Sequence, residues 1–198
     1  PLQDKGIPLR VKSAADPSFP GTLVTAEPRA GESAVKAVTA IRNSAIIDIG
    51  GAGMVGVPNV VSRIFNVLAQ ENVNVLMISQ SSSMANISLV VMRPEAKRAF
   101  EALKAQFEGG EYVRTFELWE DVATVAVVGE GMRGEKGVAA KLFNAVAAEG
   151  ISLHMISQGS SELNISFCID ETEVEKAVQA VHKAFALERQ MSGATKDR

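Results

Sequence analysis

The chain has one cysteine, Cys168, and two histidines, His154 and His182. A single thiol excludes an internal disulfide framework and a multi-thiolate metal site. Two histidines exclude a histidine-rich metal cluster. A reducing, cytosolic setting fits this cysteine usage. There is no basic surplus: 20 Lys and Arg stand against 23 Asp and Glu, a net charge of −3. That argues against a nucleic-acid footprint, which needs clustered positive charge. No apolar run approaches the roughly 20 residues of a membrane-spanning helix. The chain starts Pro1-Leu2 with no methionine and no signal-peptide pattern, and so reads as a fragment or processed product. The remaining composition, 46% hydrophobic and 22% charged, is that of a globular chain. Its 198 residues suffice for one large domain or two small ones.

What the chain does have is a repeat. Residues 51–91 read GAGMVGVPNVVSRIFNVLAQENVNVLMISQSSSMANISLVV, and residues 129–169 read GEGMRGEKGVAAKLFNAVAAEGISLHMISQGSSELNISFCI. They align without a gap at an offset of 78, and roughly 18 of 41 pairs are identical. That offset is too long for a solenoid unit and suits a duplicated small domain.

The first copy opens with a β-branched run, 44–50, that reads as a strand ending in glycines. A glycine-rich turn leads to Pro58, which suits the first turn of a helix because its missing N–H costs nothing there. Val60, Val61, Ile64, Phe65 and Leu68 then recur at helical spacing, and Asn72 closes the helix. Strands are predicted over 73–80 and 86–92, joined by a serine-rich stretch. Pro94 opens a second helix striped by Phe100, Leu103 and Phe107, and 112–118 is a last strand. The order is βαββαβ. The second copy repeats it with strands over 122–128, 151–157 and 164–169, but after Phe185 its sixth element is missing. The alternating segment 34–41 is unassigned and is inferred to supply that strand, which would interleave the copies. The expected organisation is a connector over 1–32, a first domain over 44–118, a second over 33–43 plus 119–188, and a tail over 189–198. The proline-rich connector reads as extended chain arriving from another domain. Its counterpart at the other end, Lys196-Asp197-Arg198, reads as a solvated or disordered tail.

Several chemistries fail. The run GAGMVG only approximates a dinucleotide fingerprint, no acidic residue ends a second parallel strand, and a βαββ order lacks the βαβ crossover. A tight turn needing positive φ, or helix amides free to hold an anion, are the readings left open. No motif ties either histidine to a nucleophilic serine. Cys168 lies between Phe167 and Ile169 as a plain strand residue. Asp48 alternates with Ile47 and Ile49 and points away from the core. No catalytic residue and no metal ligand is assigned.

The two blocks GAGMVGVPNVVSRIF…NVLMISQSSSMANIS and GEGMRGEKGVAAKLFNAV…MISQGSSELNISF resemble the tandem ACT regulatory region of aspartate kinases. The upstream GIPLRVKSAADPSFPGTL is similar to the segment that joins kinase and regulatory regions in that family. The resemblance covers nearly the whole chain and implies an α+β fold of two interleaved ferredoxin-like βαββαβ ACT domains, with antiparallel sheets and helices on one face. It implies ACT–ACT pairing into a homodimer with amino-acid effectors at the interface, and a cytoplasmic parent whose kinase domain would use ATP and magnesium on the carboxylate of L-aspartate. The parent would be a threonine-sensitive kinase or a bifunctional aspartokinase–homoserine dehydrogenase. Nothing in this chain resembles the kinase domain, so no cofactor, nucleic acid or membrane is expected for it. A ligand-free dimerisation module is the alternative.

For an amino-acid effector, the amides around Met54, Gly56, Val57 and Pro58 suit its carboxylate. The resemblance implies that Gln80 and Gln158 contact it, and an amide side chain suits a hydroxyl or α-amino group. Asn74, six residues before Gln80, is expected on the same strand face, and Ser82 is a further candidate contact. Lysine-sensitive relatives are expected to carry acidic residues where this chain has Leu76 and Met84; the second copy has His154 and keeps Glu162. L-threonine is therefore the expected effector, L-lysine the runner-up, with the first copy the stronger site.

Overall fold

The computed structural model describes residues 2–26, 33–107 and 109–188, and the predicted tail over 189–198 lies outside them. The chain divides into two compact units, Pro1–Glu32 and Ser33–Arg198. In the first, β1 (Leu9–Val11) pairs antiparallel with β2 (Thr22–Val24). The expected extended connector is thus a small hairpin. Its loop is closed by Asp16, whose carboxylate accepts the Ser18 and Phe19 N–H groups at 3.2 and 3.3 Å. This Asx turn, followed by Pro20 and a positive-φ Gly21, reverses the chain.

The second unit runs β3 (Ala37–Gly50), α1 (Pro58–Gln70), β4 (Val75–Gln80), β5 (Asn86–Met92), α2 (Arg93–Phe107), β6 (Thr115–Val128), α3 (Val138–Ala148), β7 (Met155–Gln158), β8 (Asn164–Asp170) and α4 (Val174–Ala184). Its six strands form one antiparallel sheet in the order β4-β5-β3-β6-β8-β7. The copies are interleaved. Ala37–Ile41 pairs with Thr124–Val128 of the second copy, while Ser44–Gly50 pairs with β5 and with the first half of β6. Segments 34–41 and 44–50 were expected as separate strands, as were 112–118 and 122–128. Each pair instead forms one 14-residue strand. Register shifts at Ile41/Ser44 and Ser44/Ile46, with Asn43 at φ 59°, let β3 turn from one copy to the other without leaving the sheet.

Each copy packs two helices on one sheet face. Val60, Ile64, Val67 and Leu68 of α1 and Ala96, Ala99 and Leu103 of α2 cover Ile47, Ile49, Ile87 and Leu89. The second copy repeats this with Leu142, Val146, Ala177 and Val181 over Val125, Val127, Ile165 and Phe167. Helix α1 closes as predicted at Asn72, whose φ of 52° lets its N–H reach Ala69 O and the Val73 N–H reach Leu68 O. Gly150 makes the same closure in the second copy. The opposite sheet face carries a smaller cluster built from both copies: Ile46, Met77, Val90, Val122, Met155 and Cys168. The edge strands β4 and β7 come together over it. No described helix is long and apolar enough to cross a membrane.

Candidate functional site

The glycine run leaves β3 as a tight turn. The Gly51 N–H donates to Ala85 O at 2.8 Å, and the Met54 N–H to Gly51 O at 3.0 Å. Met54 is buried in the helix-side core and anchors the turn. The glycines serve two separate needs. At Gly51 a Cβ would lie 2.3 Å from the Tyr112 carbonyl oxygen, so only glycine lets that backbone pass beneath the turn. At Gly56 the space is open, but φ is +73°, a conformation glycine adopts without strain.

The turn, the first turn of α1, the end of β4 and the serine loop enclose a cavity of about 310 Å³. Met54, Gly56, Val57 and Pro58 form one side, and Gln80 and Met84 the other. Helix α1 begins at Pro58, which has no N–H, and the Val57 and Val60 N–H groups are already bonded to Met54 O and Val57 O at 3.2 and 3.3 Å, so the turn does not offer the full set of free amides expected for it. The Gly56 N–H has no acceptor among the described residues. No carboxylate and no cationic side chain lines the cavity.

The second copy shows what that amide is suited to hold. Gly134 stands 78 residues after Gly56 with nearly the same φ, +70°. Its N–H donates to the Glu162 carboxylate at 2.6 Å. The residue 78 before Glu162 is Met84, and the two share positive φ values of 57° and 55°. The same turn thus carries its own carboxylate in the second copy and an apolar thioether in the first. Sequence alone gives Glu162 no partner; the offset of 78 that aligns Met84 with Glu162, and Gly56 with Gly134, is the signal that exposes the pairing.

Of the residues expected at a site, the structure brings Met54, Gly56, Val57, Pro58 and Gln80 to one cavity. It does not bring Asn74, Ser82 or Gln158 there. Ser82 is exposed in a loop whose flanking Ser81 and Ser83 hydroxyls bond to each other at 2.9 Å. Gln158 ends β7, the equivalent place in the second copy. The expectation that Asn74 shares a strand face with Gln80 is corrected. Strand β4 begins at Val75, and a register shift between Val75 and Met77 inserts one residue, which reverses the alternation.

The other reactive side chains are accounted for locally. Cys168 is buried beneath the sheet 3.5 Å from the Thr124 hydroxyl, and burial pushes its thiol pKa up. His154 pairs with Asp170 at 2.8 Å and stacks on Trp119. Among the described residues no group of three or more His, Cys, Asp or Glu is gathered to hold a metal.

This architecture, a duplicated βαββαβ unit with a turn cavity, defines a class. The family model for the ACT domain matches residues 47–107 and again 125–185. The chain is 35% identical over 187 residues to a bifunctional aspartokinase/homoserine dehydrogenase of Haemophilus influenzae, covering 93% of this chain and 23% of that one. Among solved structures it resembles the regulatory subunit of aspartate kinase from Thermus flavus, with 31% identity, a TM-score of 0.68, and 77% and 99% of the two chains covered. It resembles the aspartate kinase of Clostridium acetobutylicum with 28% identity, a TM-score of 0.82, and 93% and 42% covered. The chain belongs to the ACT-domain family, as a tandem ACT region of the aspartate kinase regulatory type. It spans under a quarter of the length of the Haemophilus relative.

Proposed function

We propose that this chain is the allosteric region of a cytoplasmic aspartate kinase, alone or fused to a homoserine dehydrogenase, and that it binds L-threonine to signal feedback inhibition. The parent kinase domain would use ATP and magnesium to phosphorylate the carboxylate of L-aspartate. The observation that carries the reading is the carboxylate of Glu162 on the Gly134 amide. In the first copy Met84 leaves the equivalent Gly56 amide open beside a cavity of amino-acid size. The effector carboxylate takes the place that Glu162 fills in the second copy. Gln80, at the far wall, accepts from the α-ammonium group through its amide oxygen and donates to the side-chain hydroxyl through its amide nitrogen. Lysine is the runner-up because its ammonium needs an anionic partner when it leaves water, and this cavity offers none. Self-occupancy by Glu162 makes the second copy the weaker site.

An effector regulates only by binding two states unequally. Edge strands β4 and β7 each have one ladder partner in the sheet and so suit pairing with a second copy of the chain, and the loop from Ser81 to Ala85 joins β4 to the cavity. A thermal-shift screen of the twenty amino acids tests the reading, since a ligand selective for the folded state raises its melting temperature. Threonine should give the largest rise. A flat response to all twenty would instead favour a ligand-free dimerisation module.

A further inference from the structure

The face of the sheet opposite the helices carries the same transverse row in each copy, with one substitution. In the first copy Ser79 lies opposite Ser88, and Ser88 opposite Asp48. In the second copy Ser157 lies opposite Ser166, and Ser166 opposite Ala126. Asp48 is the acceptor of its row. Its carboxylate takes the Ser88 hydroxyl at 2.5 Å and the Asn86 side-chain amide at 3.4 Å. The second copy keeps both donors at the same register, as Ser166 and Asn164, and has a methyl group where the carboxylate stood. Among the described residues the side chains of Ser157, Asn164 and Ser166 make no hydrogen bond.

The place is open. A cavity of about 320 Å³ lies there, walled by Ser157, Asn164 and Ser166 on one side and by Leu76 and Ile78 of edge strand β4 on the other. It shares no residue with the turn cavity. We propose that this second cavity binds a small carboxylic acid in its ionised form, with Ser166 Oγ and Asn164 Nδ2 donating to the carboxylate as Ser88 and Asn86 donate to Asp48. Charge-assisted hydrogen bonds from neutral donors suit an anion here, because this row of the second copy brings no negative charge of its own. The inference stands independently of the turn site and of the effector assigned to it.

The test is a ¹H–¹⁵N NMR titration of the 198-residue chain with sodium acetate, against sodium chloride at matched ionic strength. The expected result is saturable, acetate-specific shifts of the Asn164 side-chain amide and the Ser166 backbone amide. Ser166→Ala and Asn164→Leu should each weaken the response at least fivefold with the melting temperature retained. Ala126→Asp should abolish it by supplying the carboxylate internally. Acetate shifts that match chloride, or that are confined to Gly56 and its turn, would overturn the proposal. So would an unchanged acetate response in both Ser166→Ala and Asn164→Leu, which decides the matter even if Ala126→Asp fails to fold.

Discussion

Arg93 and Glu171 stand 78 residues apart, at equivalent places in the two copies, and form an ion pair with each other. Their neighbours join the same contact. Asn43 and Asp121 are again 78 apart. The Asn43 N–H donates to Glu171 at 3.1 Å, and Asp121 faces Arg93 at 3.5 Å. Arg93 and Glu171 have diverged to opposite charge, and with Asn43 and Asp121 they link the copies where β3 and β6 cross between them.

The Glu171 carboxyl is held below its ordinary value of 4.5, chiefly by the Asn43 N–H and, against some burial, by the hydrogen bond and charge of Arg93. A carboxylate with a lowered folded-state pKa stabilises fully above the unfolded value and loses that contribution as pH falls through the folded one. Melting temperatures of wild type and Glu171→Gln should therefore differ at neutral pH and converge below about pH 4.5. Parallel profiles down to pH 3 would remove this carboxylate from the junction's stability.

Leu103 and Leu142 are fully buried in the separate helix-side cores of the two copies. Truncating either to alanine should cost about 2–5 kcal/mol. Because β3 and β6 run through both copies, each change should lower one common unfolding transition. Calorimetry that resolves two transitions, only one of them moved, would contradict this coupling.

A chain beginning at Ser44 lacks the strand Ala37–Ile41 and the fully buried Val35. It leaves Thr124–Val128 as an unpaired edge over the second core. Its melt should be lower and broader than that of the whole chain. A melt as sharp and as high would refute the dependence of the second copy on that strand.

Edge strands β4 and β7 each have one ladder partner in the sheet, and since sheet edges are paired or covered in natural proteins this predicts self-association. Light scattering should report a dimer at micromolar concentration. Monomer alone, with and without threonine, would count against the assembly.

The fold was legible because two copies read the same way. Proline at the start of α1, the stripe from Val60 to Leu68 and the left-handed Asn72 each carry a local signal. The missing sixth strand of the second copy pointed to 34–41 for the same reason. The rest depended on contacts that no local pattern records. The exposed Arg42 and Asn43 gave no sign that one strand runs on through them, because bulges keep the ladder while breaking the alternation. The single inserted residue near Leu76 moved Asn74 off the face of Gln80. The cavity's turn side was readable from glycine and proline chemistry. Its opposite wall needed the pairing of β4 with β5, which carries Gln80 and Met84 back toward the turn. The partners of Glu162, Asp48 and Glu171 lie tens of residues away in sequence, beyond the reach of any local pattern.

The central claim is that an amino-acid carboxylate occupies in the first copy the place Glu162 fills in the second. Titration calorimetry with threonine and lysine on wild type, Met84→Glu, Gln80→Ala and Gln158→Ala tests it most directly. Met84→Glu should place a carboxylate on the Gly56 amide and abolish threonine binding. Gln80→Ala should cost about 1–3 kcal/mol, a roughly five- to 150-fold loss of affinity, and Gln158→Ala should cost less. Threonine binding that survives Met84→Glu and Gln80→Ala unchanged, or tight lysine binding with no threonine response, would contradict the account.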